Sequence, residues 1–383
     1  MKVIVVGGKL QGIEASYLAR KAGWQIILID KNPQVPARGL SDEFVLCDVT
    51  KEKKKALMAM KKGDLIIPAL EDKATLQSLE KMAEEECLPL AFDSKAYELT
   101  SSKKKSDSLF EELNLPRPEA WPNSSFPLIL KPSGLSGSRG IRKVSNPEEL
   151  ESFLAQNEIQ DWVVQEYLEG PSYSLEVLGH QGRFFCLQPT EIHVDRNYDC
   201  KRIFAPAELS PRLKAEFEET SLKIAEALSL EGIMDVEVIL NQGKLKVLEI
   251  DARLPSQTPS AVFKSTGINM LELLYHIFAK HQLPEIRYPE RETFVIYEHI
   301  EITLDKIEIL GEHRIGSAGS LRLVKDFFEA EEALTDYAEG KKNWVATLII
   351  SGGTREIVWK KHEEILTKIR KNFGLDICID LNP

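Results

Sequence analysis

The sequence lacks the cysteine and histidine spacings that mark zinc sites and disulfide-rich folds. Its five cysteines form no CxxC pair, and its seven histidines form no HExxH motif. These absences exclude a zinc ribbon, a disulfide framework and a zincin metalloprotease. Unpaired, scattered cysteines are typical of the reducing cytoplasm, which is where we expect this protein to work. The sequence also contains no internal repeat and no low-complexity tract.

Long apolar runs are missing as well. No run approaches the roughly 18–20 residues that a membrane-spanning helix needs. The start, MKVIVVGGKLQG, meets a glycine turn and Lys9 too soon for a signal peptide, so it predicts the first strand of a domain. The net charge of −11 and the pI near 5.4 argue against a nucleic-acid partner. We therefore expect a protein that binds neither nucleic acid nor membranes.

Alternating apolar strands and amphipathic helices fill the first 92 residues. Strands are predicted at 2–6, QIILID and DLIIPA, with a helix near 11–22. This βαβ alternation predicts a parallel sheet covered by helices. Farther along, we predict helices over 96–114, 268–280 and 355–373, and strands at TFVIYEHIEI and VATLIIS.

The turn Gly7–Gly12 matches a dinucleotide-binding fingerprint only in part. The fingerprint GxGxxG requires glycine where this chain has Lys9, and a lysine side chain would block the approach of a pyrophosphate. Asp30 nevertheless follows where a ribose-binding acid would stand. We interpret the turn as a tight strand-to-helix connection, and NAD binding and substrate contact remain as alternatives.

Four carboxylates are predicted to face one another on a hairpin. The strands GIMDVEVIL and LKVLEID are separated by NQGK, a turn of hairpin type. Alternation of side chains places Asp235 and Glu237 opposite Glu249 and Asp251, about 5–8 Å apart. Unpaired carboxylates would repel one another, whereas Mg²⁺ takes such oxygens together with phosphate. A solvated strand face neutralised by nearby lysines is the alternative.

Upstream segments favour a phosphate ligand. Lys131 ends the buried strand FPLILKP, and the loop SGLSGSRG follows, whose backbone N–H groups could cradle phosphate oxygens. No GKS or GKT follows the glycines, so the loop is not a Walker A motif, and a flexible linker would look the same. The segment VVQEYLEG predicts an apolar strand and a polar hinge suited to adenine.

In chain order, five motifs resemble those of the ATP-grasp carboxylate–amine ligases across residues 95–260: SSKKK…LNLPRP, LILKPSGLSGSRG, VVQEYLEG, MDVEVI and VLEIDAR. Within that superfamily, the chain is most similar to the ligases of pyrrolysine biosynthesis, through stretches such as KKKSDSLF, IHVDRNYDC and EIDARLPSQTPS. The resemblance implies an α/β fold in which a Rossmann-like βαβ domain (1–93) precedes the ATP-grasp small subdomain (94–170). The large subdomain (171–383) would include a mixed α+β C-terminal part.

The resemblance also implies a role for each matching residue. The expected cofactors are ATP and Mg²⁺, with Glu237, Glu249 and Asp251 as metal ligands and with Arg253 and Lys131 in catalysis. The expected ATP contacts are Lys103, Lys131, Ser133, Ser136, Ser138, Gln165, Glu166, Leu168 and Ser172, the last replacing a ribose-binding glutamate of some relatives. The expected substrate contacts are Ser174, Glu176, His193, Asp195, Tyr198, Asp199, Asp235 and Arg253. Lys9, Leu10, Gln11 and Glu71 are also expected to contact substrate, because they lie at strand ends of the first domain, where open α/β sheets bind ligands.

The reaction implied by the resemblance joins the carboxylate of 3-methyl-D-ornithine, or a similar diamino acid, to the ε-amine of L-lysine through an acyl phosphate. A homodimer is one expected form. Another ATP-grasp ligase, of purine-carboxylase or amino-acid/peptide type, and a non-catalytic nucleotide-binding regulator are the alternatives. Judged from its residues alone, TEIHVDRNYDC is an ordinary polar loop and His193 a structural histidine.

Overall fold

The computed structural model describes residues 1–291 and 293–382, which pack into two compact units. Unit one contains residues 1–92, 200–206 and 254–382, and unit two contains residues 93–199 and 207–253. The predicted division into domains at residues 93 and 170 stays a prediction. Within the described residues, no helix has the length and apolar character needed to cross a membrane.

The first 92 residues form the predicted parallel sheet. Its strands lie in the order β3-β2-β1-β4, and every pairing is parallel. The elements are β1 (Lys2–Val6), α1 (Leu10–Lys21), β2 (Gln25–Asp30), β3 (Glu43–Leu46), α2 (Lys53–Met60), β4 (Leu65–Pro68) and α3 (Lys73–Glu86).

The turn between β1 and α1 is tight. A Cβ atom on Gly12 would lie 2.1 Å from the carbonyl oxygen of Gly7, so only glycine fits there. The Asp30 carboxylate accepts a hydrogen bond from the backbone N–H of Gly8 at 2.7 Å. Asp30 thus stabilises the tight turn between β1 and α1, in agreement with the interpretation of this turn as a strand-to-helix connection.

Residues 93–199 contain three helices and six strands. They are α4 (Ser94–Thr100), α5 (Lys103–Glu112), β5 (Leu128–Pro132), β6 (Arg142–Val144), α6 (Pro147–Leu154), β7 (Trp162–Glu166), β8 (Ser172–His180), β9 (Arg183–Cys186) and β10 (Thr190–Val194). The prediction of one helix over 96–114 was wrong. The chain breaks at Ser102, whose hydroxyl caps α5 by accepting from the Lys105 N–H.

Residues 200–253 add one helix and three strands: β11 (Cys200–Ala205), α7 (Pro211–Leu228), β12 (Gly232–Asn241) and β13 (Lys244–Asp251). The last two strands form the predicted antiparallel hairpin. The segment TEIHVDRNYDC is more ordered than a polar loop, because its ends lie in β10 and β11.

Residues 254–382 complete unit one. They form α8 (Thr258–Thr266), α9 (Met270–Lys280), β14 (Phe294–Ile302), β15 (Lys306–Ile309), α10 (Glu312–Gly316), β16 (Arg322–Phe327), β17 (Ala330–Thr335), β18 (Trp344–Gly352), α11 (Arg355–Phe373) and β19 (Ile377–Asp380). The predicted helix over 355–373 is confirmed, and α9 lies within the predicted 268–280. Helix α8 was not predicted.

Unit two has a sheet with one apolar and one polar face. Strands β13-β12-β8-β10 are adjacent, and β9 pairs with β8. Tyr173, Leu175 and Val177 of β8 pack in a core that includes Phe217 and Ile224 of α7. Because side chains alternate, the residues between them face the other way. A separate sheet, β6-β5-β7, packs its own apolar face near α6.

Unit one holds a buried charge cluster. Lys201, on β11, is fully buried, and its ammonium binds Asp380, the Leu381 carbonyl at 2.9 Å and Asn382 Oδ1 at 2.7 Å. Its neighbour Arg202 binds both Asp380 and the buried Glu298. Residues 380–382 therefore neutralise and cap cations that unit one could not otherwise bury.

Replacement of Asp380 by alanine should destabilise unit one. The change removes the carboxylate shared by Lys201 and Arg202, and loss of such a partner costs about 1–3 kcal/mol. The free energy of unfolding, measured by urea denaturation, should fall by that amount. Asp376 is exposed and its side chain makes no bond in the described structure, so Asp376→Ala should stay within about 0.5 kcal/mol of the parent. Equal stability of the two variants would contradict the role of Asp380.

Candidate active site

The polar face of the unit-two sheet carries its acidic side chains in rows that cross three strands. Ser174, Glu237 and Glu249 stand opposite one another on β8, β12 and β13, and we call them the metal row. Glu176, Asp235 and Asp251 form the next row, which we call the acid row. The predicted pairing of four carboxylates on the hairpin is confirmed, and β8 adds a fifth.

The metal row is electrostatically strained. Loss of solvent around the half-buried Glu237, followed by the charges of Glu249 and Asp251, raises the pKa of Glu237 to about 8. Lysines oppose this repulsion only in part. The arrangement favours binding of additional positive charge.

Two lysines meet the metal row from other elements. Lys103, the first residue of α5, binds Glu249 and donates to the Leu135 carbonyl at 2.7 Å. Lys131, near the end of β5, lies close enough to Glu249 for the charge of that carboxylate to affect the pKa of Lys131. Burial lowers the pKa of Lys131, although the charge of Glu249 opposes that effect. Both predicted phosphate lysines therefore lie at the row of acids.

The donor set suits Mg²⁺. Asp251 binds Arg253 (Nη2 to Oδ2, 2.9 Å), as Glu249 binds Lys103. Within the described residues no three ligating side chains converge as a ready-made cation site. Mg²⁺ does not require such a cage, because one or two carboxylates usually hold it while phosphate oxygens complete its shell. The carboxylates at Glu237, Glu249 and Asp251 meet that requirement.

The acid row is deeply buried. Asp235 is 6% exposed, and within the described residues its Oδ1 has no hydrogen-bond partner. Burial and then the charge of Asp251 raise the pKa of Asp235 well above its usual value. Glu176, its neighbour on β8, is fully buried. Two adjacent buried carboxyl groups are suited to receive ammonium groups of a ligand.

The loop over residues 133–140 connects several parts of the site. At its start, Ser133 accepts the Lys103 N–H at 3.0 Å through its carbonyl. Ser138, at φ +56°, donates its hydroxyl to the Tyr198 carbonyl at 2.5 Å. Ser136 lies between these two anchors. The predicted phosphate loop is thus held both by α5 and by the turn over residues 195–199.

The hinge after β7 forms one end of this face. Gln165 is buried, Glu166 pairs with Lys246, and Leu168 lies in the connection to β8. A Cβ atom on Gly170 would lie 2.0 Å from the Leu240 carbonyl oxygen, so the connection passes β12 too closely for any side chain.

The turn over residues 195–199 is stabilised by its own aspartate. Asp195 Oδ1 accepts the N–H groups of Asn197 at 2.7 Å and Asp199 at 3.1 Å. This geometry gives Asp195 a structural role in the turn beside its predicted substrate contact. The ring of Tyr198 packs edge-on against Tyr167, with ring centroids 6.3 Å apart.

His193 does not lie on the polar face of the unit-two sheet. Its partner is Glu191, at 3.5 Å, and Glu191 stands opposite Tyr173 in the ladder. Alternation along β10 therefore places Glu191 and His193 on the face opposite the acidic rows. The substrate role of His193 depends on the resemblance alone.

The remaining predicted substrate contacts belong to unit one. Lys9 precedes α1, Leu10 and Gln11 begin it, and the Gln11 amide donates to Glu71 Oε1 at 3.1 Å. The structure thus brings Gln11 and Glu71 together, because they follow β1 and β4, which are adjacent strands of one parallel sheet. Their contact with substrate stays a prediction.

Sequence reasoning missed Ile239 and Lys246, which share a third row with Ser172. Strict alternation from Glu249 would place Lys246 on the opposite face. A bulge opposite Glu237 and Val238 leaves Leu248 without a partner in the ladder and returns Lys246 to the polar face. Leu245 and Val247 were the signal available in the sequence. Strict alternation from Glu249 would put both apolar side chains on the polar face, whereas the structure buries them in the core.

Comparison with known proteins agrees with this geometry. The family model of the ATP-grasp domain matches residues 100–257. The 3-methyl-D-ornithine–L-lysine ligase of Methanosarcina barkeri (strain Fusaro / DSM 804) is 37% identical over 377 residues, which cover 98% of this chain and 99% of that one. The enzyme of the same name from Methanosarcina mazei is 35% identical over 372 residues, covering 97% and 96%.

Solved structures share the fold. The L-amino acid ligase of Bacillus licheniformis superposes with a TM-score of 0.67 at 18% identity, covering 100% of this chain and 99% of its own. Biotin carboxylase of Campylobacter jejuni gives 0.75 at 17% identity, covering 96% and 91%. The identity and coverage of the Methanosarcina relatives show that the chain belongs to the ATP-grasp ligases, in the family of the 3-methyl-D-ornithine–L-lysine ligases.

Proposed function

We propose that this protein uses ATP to form an amide between the carboxylate of 3-methyl-D-ornithine and the ε-amine of L-lysine. One observation carries the proposal: Glu237 and Glu249 face each other on adjacent strands while Lys103 reaches the same row. That combination suits the phosphates of ATP and their metal. The names of the full-length relatives support the choice of the two amino acids.

In this proposal the metal row holds the phosphate end of ATP. Glu237 and Glu249 of the metal row, with Asp251 from the neighbouring acid row, would hold Mg²⁺, which withdraws charge from the phosphate oxygens when bound. Lys103 and Lys131 add fixed positive charge, and N–H groups of the 133–140 loop can bind further oxygens. The anchors of Ser138 and Lys103 keep this loop where it can exclude water.

The acid row binds the diamino acid. Glu176 and Asp235 are buried carboxyl groups that ammonium groups would neutralise. Two residues along a strand span about 7 Å, so a ligand held here can place its own carboxylate at the metal row. Ser174, the member of the metal row on β8, lies at the carboxylate end of such a ligand.

The chemistry proceeds in two steps. A carboxylate oxygen of the diamino acid attacks the γ-phosphorus of ATP, the bond from that phosphorus to the β,γ-bridging oxygen breaks, and ADP leaves. The ε-nitrogen of lysine, after losing a proton, then attacks the acyl carbon of the acyl phosphate, and the C–O bond to phosphate breaks. Arg253, beside Asp251, stabilises the anionic oxygens at both stages.

Glu249→Gln and Lys131→Ala should each abolish ATP turnover. Both changes remove charge that stabilises the transferring phosphoryl group, and such losses lower kcat by roughly 10²–10³-fold or more. ADP release with both amino acids present is the measurement. Glu219→Gln and Lys214→Ala, on exposed positions of α7, are the charge-matched controls and should behave as the parent. Substantial ADP release by either site variant would refute the assignment.

Asp235→Asn should weaken binding of the diamino acid. Loss of the carboxylate charge facing an ammonium group raises the KM for that substrate roughly ten- to a hundredfold. The KM for ATP should change little, because the change leaves the proposed metal ligands Glu237, Glu249 and Asp251 in place. Steady-state kinetics with each substrate varied in turn would detect the split, and parallel increases in both KM values would argue against the separate acid row.

The substrates themselves can be tested with the purified protein. ATP with 3-methyl-D-ornithine or D-ornithine and L-lysine should yield ADP, phosphate and one amide per ATP, detected by mass spectrometry. Turnover confined to an aminoimidazole ribonucleotide with bicarbonate would replace the proposal by a purine-type carboxylase.

A further inference from the structure

The segment that follows Arg253 contains a strained turn. Gln257 has φ +73° and ψ −55°, and the Thr258 N–H donates to the Ser256 carbonyl at 2.9 Å. These values define the positive-φ form of the γ-turn, which lies near φ of about +75° and ψ of about −65°. A residue with a Cβ atom rarely adopts this conformation, and it persists only where the surrounding structure imposes it. Neighbouring groups must therefore hold Gln257 in the turn.

Both ends of the Gln257 amide are hydrogen-bonded inside unit one. The side chain is buried, its nitrogen donates to Glu312 Oε2 at 2.6 Å, and its oxygen lies 3.0 Å from His299 Nε2. Ser256 donates its hydroxyl to the same oxygen of Glu312 at 2.8 Å. Glu312 begins α10 and His299 belongs to β14, so two separate elements clamp the turn.

The hydrogen bonds of His299 run in one direction. Burial lowers the pKa of His299 to about 3, so the ring is neutral and carries one proton. Because the amide oxygen of Gln257 only accepts, that proton lies on Nε2 and is donated to Gln257. Nδ1 then accepts from the hydroxyl of Thr347, which is 2.8 Å away and stands opposite His299 on β18. The resulting chain of donors and acceptors fixes the orientation of the Gln257 amide.

The turn is tied closely to Arg253. Leu254 and Pro255 separate Arg253 from Ser256, the first residue of the turn. The proline ring locks its own φ, and a residue before proline is restricted to extended conformations. This connection is short and stiff, so the conformation of the turn limits how the chain can leave Arg253. A displacement of about 1 Å at a catalytic group can lower the rate roughly 10²-fold.

We propose that His299 and Glu312 are positioning residues of the ligase reaction, which hold the γ-turn at Gln257 and, through it, the backbone that carries Arg253. The inference rests on the proposed role of Arg253 in stabilising the anionic oxygens of the reaction. It gives a buried histidine and a buried glutamate outside the acidic rows a part in catalysis as well as in stability.

Substitutions at Gln257 test the inference, because glycine adopts positive φ freely and alanine does not. Gln257→Ala loses the hydrogen bonds that hold the turn, so the turn should relax and kcat should fall roughly 10–100-fold. Gln257→Gly loses the same bonds but forms the turn without strain, so its kcat should exceed that of Gln257→Ala by at least about threefold. The KM for ATP should stay within about twofold in both variants, since the proposed metal ligands are unchanged. Amide formation and ADP release are the measurements.

The histidine provides a second comparison. His299→Phe removes both hydrogen bonds of the ring and should lower kcat as Gln257→Ala does. His299→Gln can place an amide N–H near the position of Nε2, so it should keep at least about threefold more activity than His299→Phe. If a variant at Gln257 does not fold, this pair decides the outcome by the same criterion.

Two matched controls separate positioning from stability. Gln242 is exposed in the turn between β12 and β13 and has φ +50°, so glycine and alanine there should differ in Tm and share the parental kcat. His362 is a buried histidine of α11 that lies 2.7 Å from Glu298, and His362→Gln should lower Tm without changing kcat. A kcat for Gln257→Gly no higher than that of Gln257→Ala would overturn the inference, as would parental kcat values in the variants of Gln257 and His299.

Failure of this inference can be separated from failure of the proposed reaction. Hydroxylamine in place of the amine traps an acyl phosphate as a hydroxamate, whichever of the common amino acids the protein activates in a screen. More hydroxamate from Gln257→Gly than from Gln257→Ala, in a protein that forms no amide from 3-methyl-D-ornithine and L-lysine, would sustain the inference and reject the reaction. Amide formation by the parent with equal losses in the two variants would do the reverse. A parent that activates no carboxylic acid would reject both.

Discussion

The crowding of carboxylates across three adjacent strands is the constraint on which unit two depends. Glu237 and Asp235 are repelled by their neighbours and poorly solvated, and the pKa of each is raised. Such a face is stabilised by protonation of these carboxyl groups or by cations supplied from outside the sheet. Lys103 and Lys131 belong to α5 and β5, and Arg253 lies two residues after the end of β13. The surrounding elements are arranged to bring positive charge to this face.

The rows also divide the face by chemistry. Successive rows along β12 present Asp235, then Glu237, then Ile239, at intervals of about 7 Å. Carboxyl groups for ammonium ions, carboxylates for a metal with phosphates, and an apolar residue flanked by Lys246 follow one another in that order. We propose that this order positions two substrates end to end, so that the reacting groups meet where the acid row borders the metal row.

In unit one, a buried carboxylate is fully paired with cationic side chains, in contrast to the crowded carboxyl groups of unit two. Glu298 is fully buried; burial alone would raise its pKa, but His362 and Arg202 lower it below the usual value. His362 Nε2 lies 2.7 Å from Glu298 Oε1. Complete pairing makes this cluster a structural element. Incomplete pairing, as at Asp235, leaves hydrogen-bonding capacity for the ligand that we propose.

The sequence by itself determined the parallel sheet of the first 92 residues, the carboxylate hairpin and the helix over 355–373, because each follows from local alternation, periodicity or a turn. It also placed Lys131 and the glycine-serine loop next to each other. Only the tertiary structure decided which face Lys246 occupies, since one bulged residue reverses the alternation that the sequence shows. It likewise turned His193 away from the acidic rows. Register and bulges depend on contacts between distant segments, and local sequence does not encode those contacts. The helix break at Ser102 is different, because its cap is a local hydrogen bond to the Lys105 N–H that the sequence could have indicated.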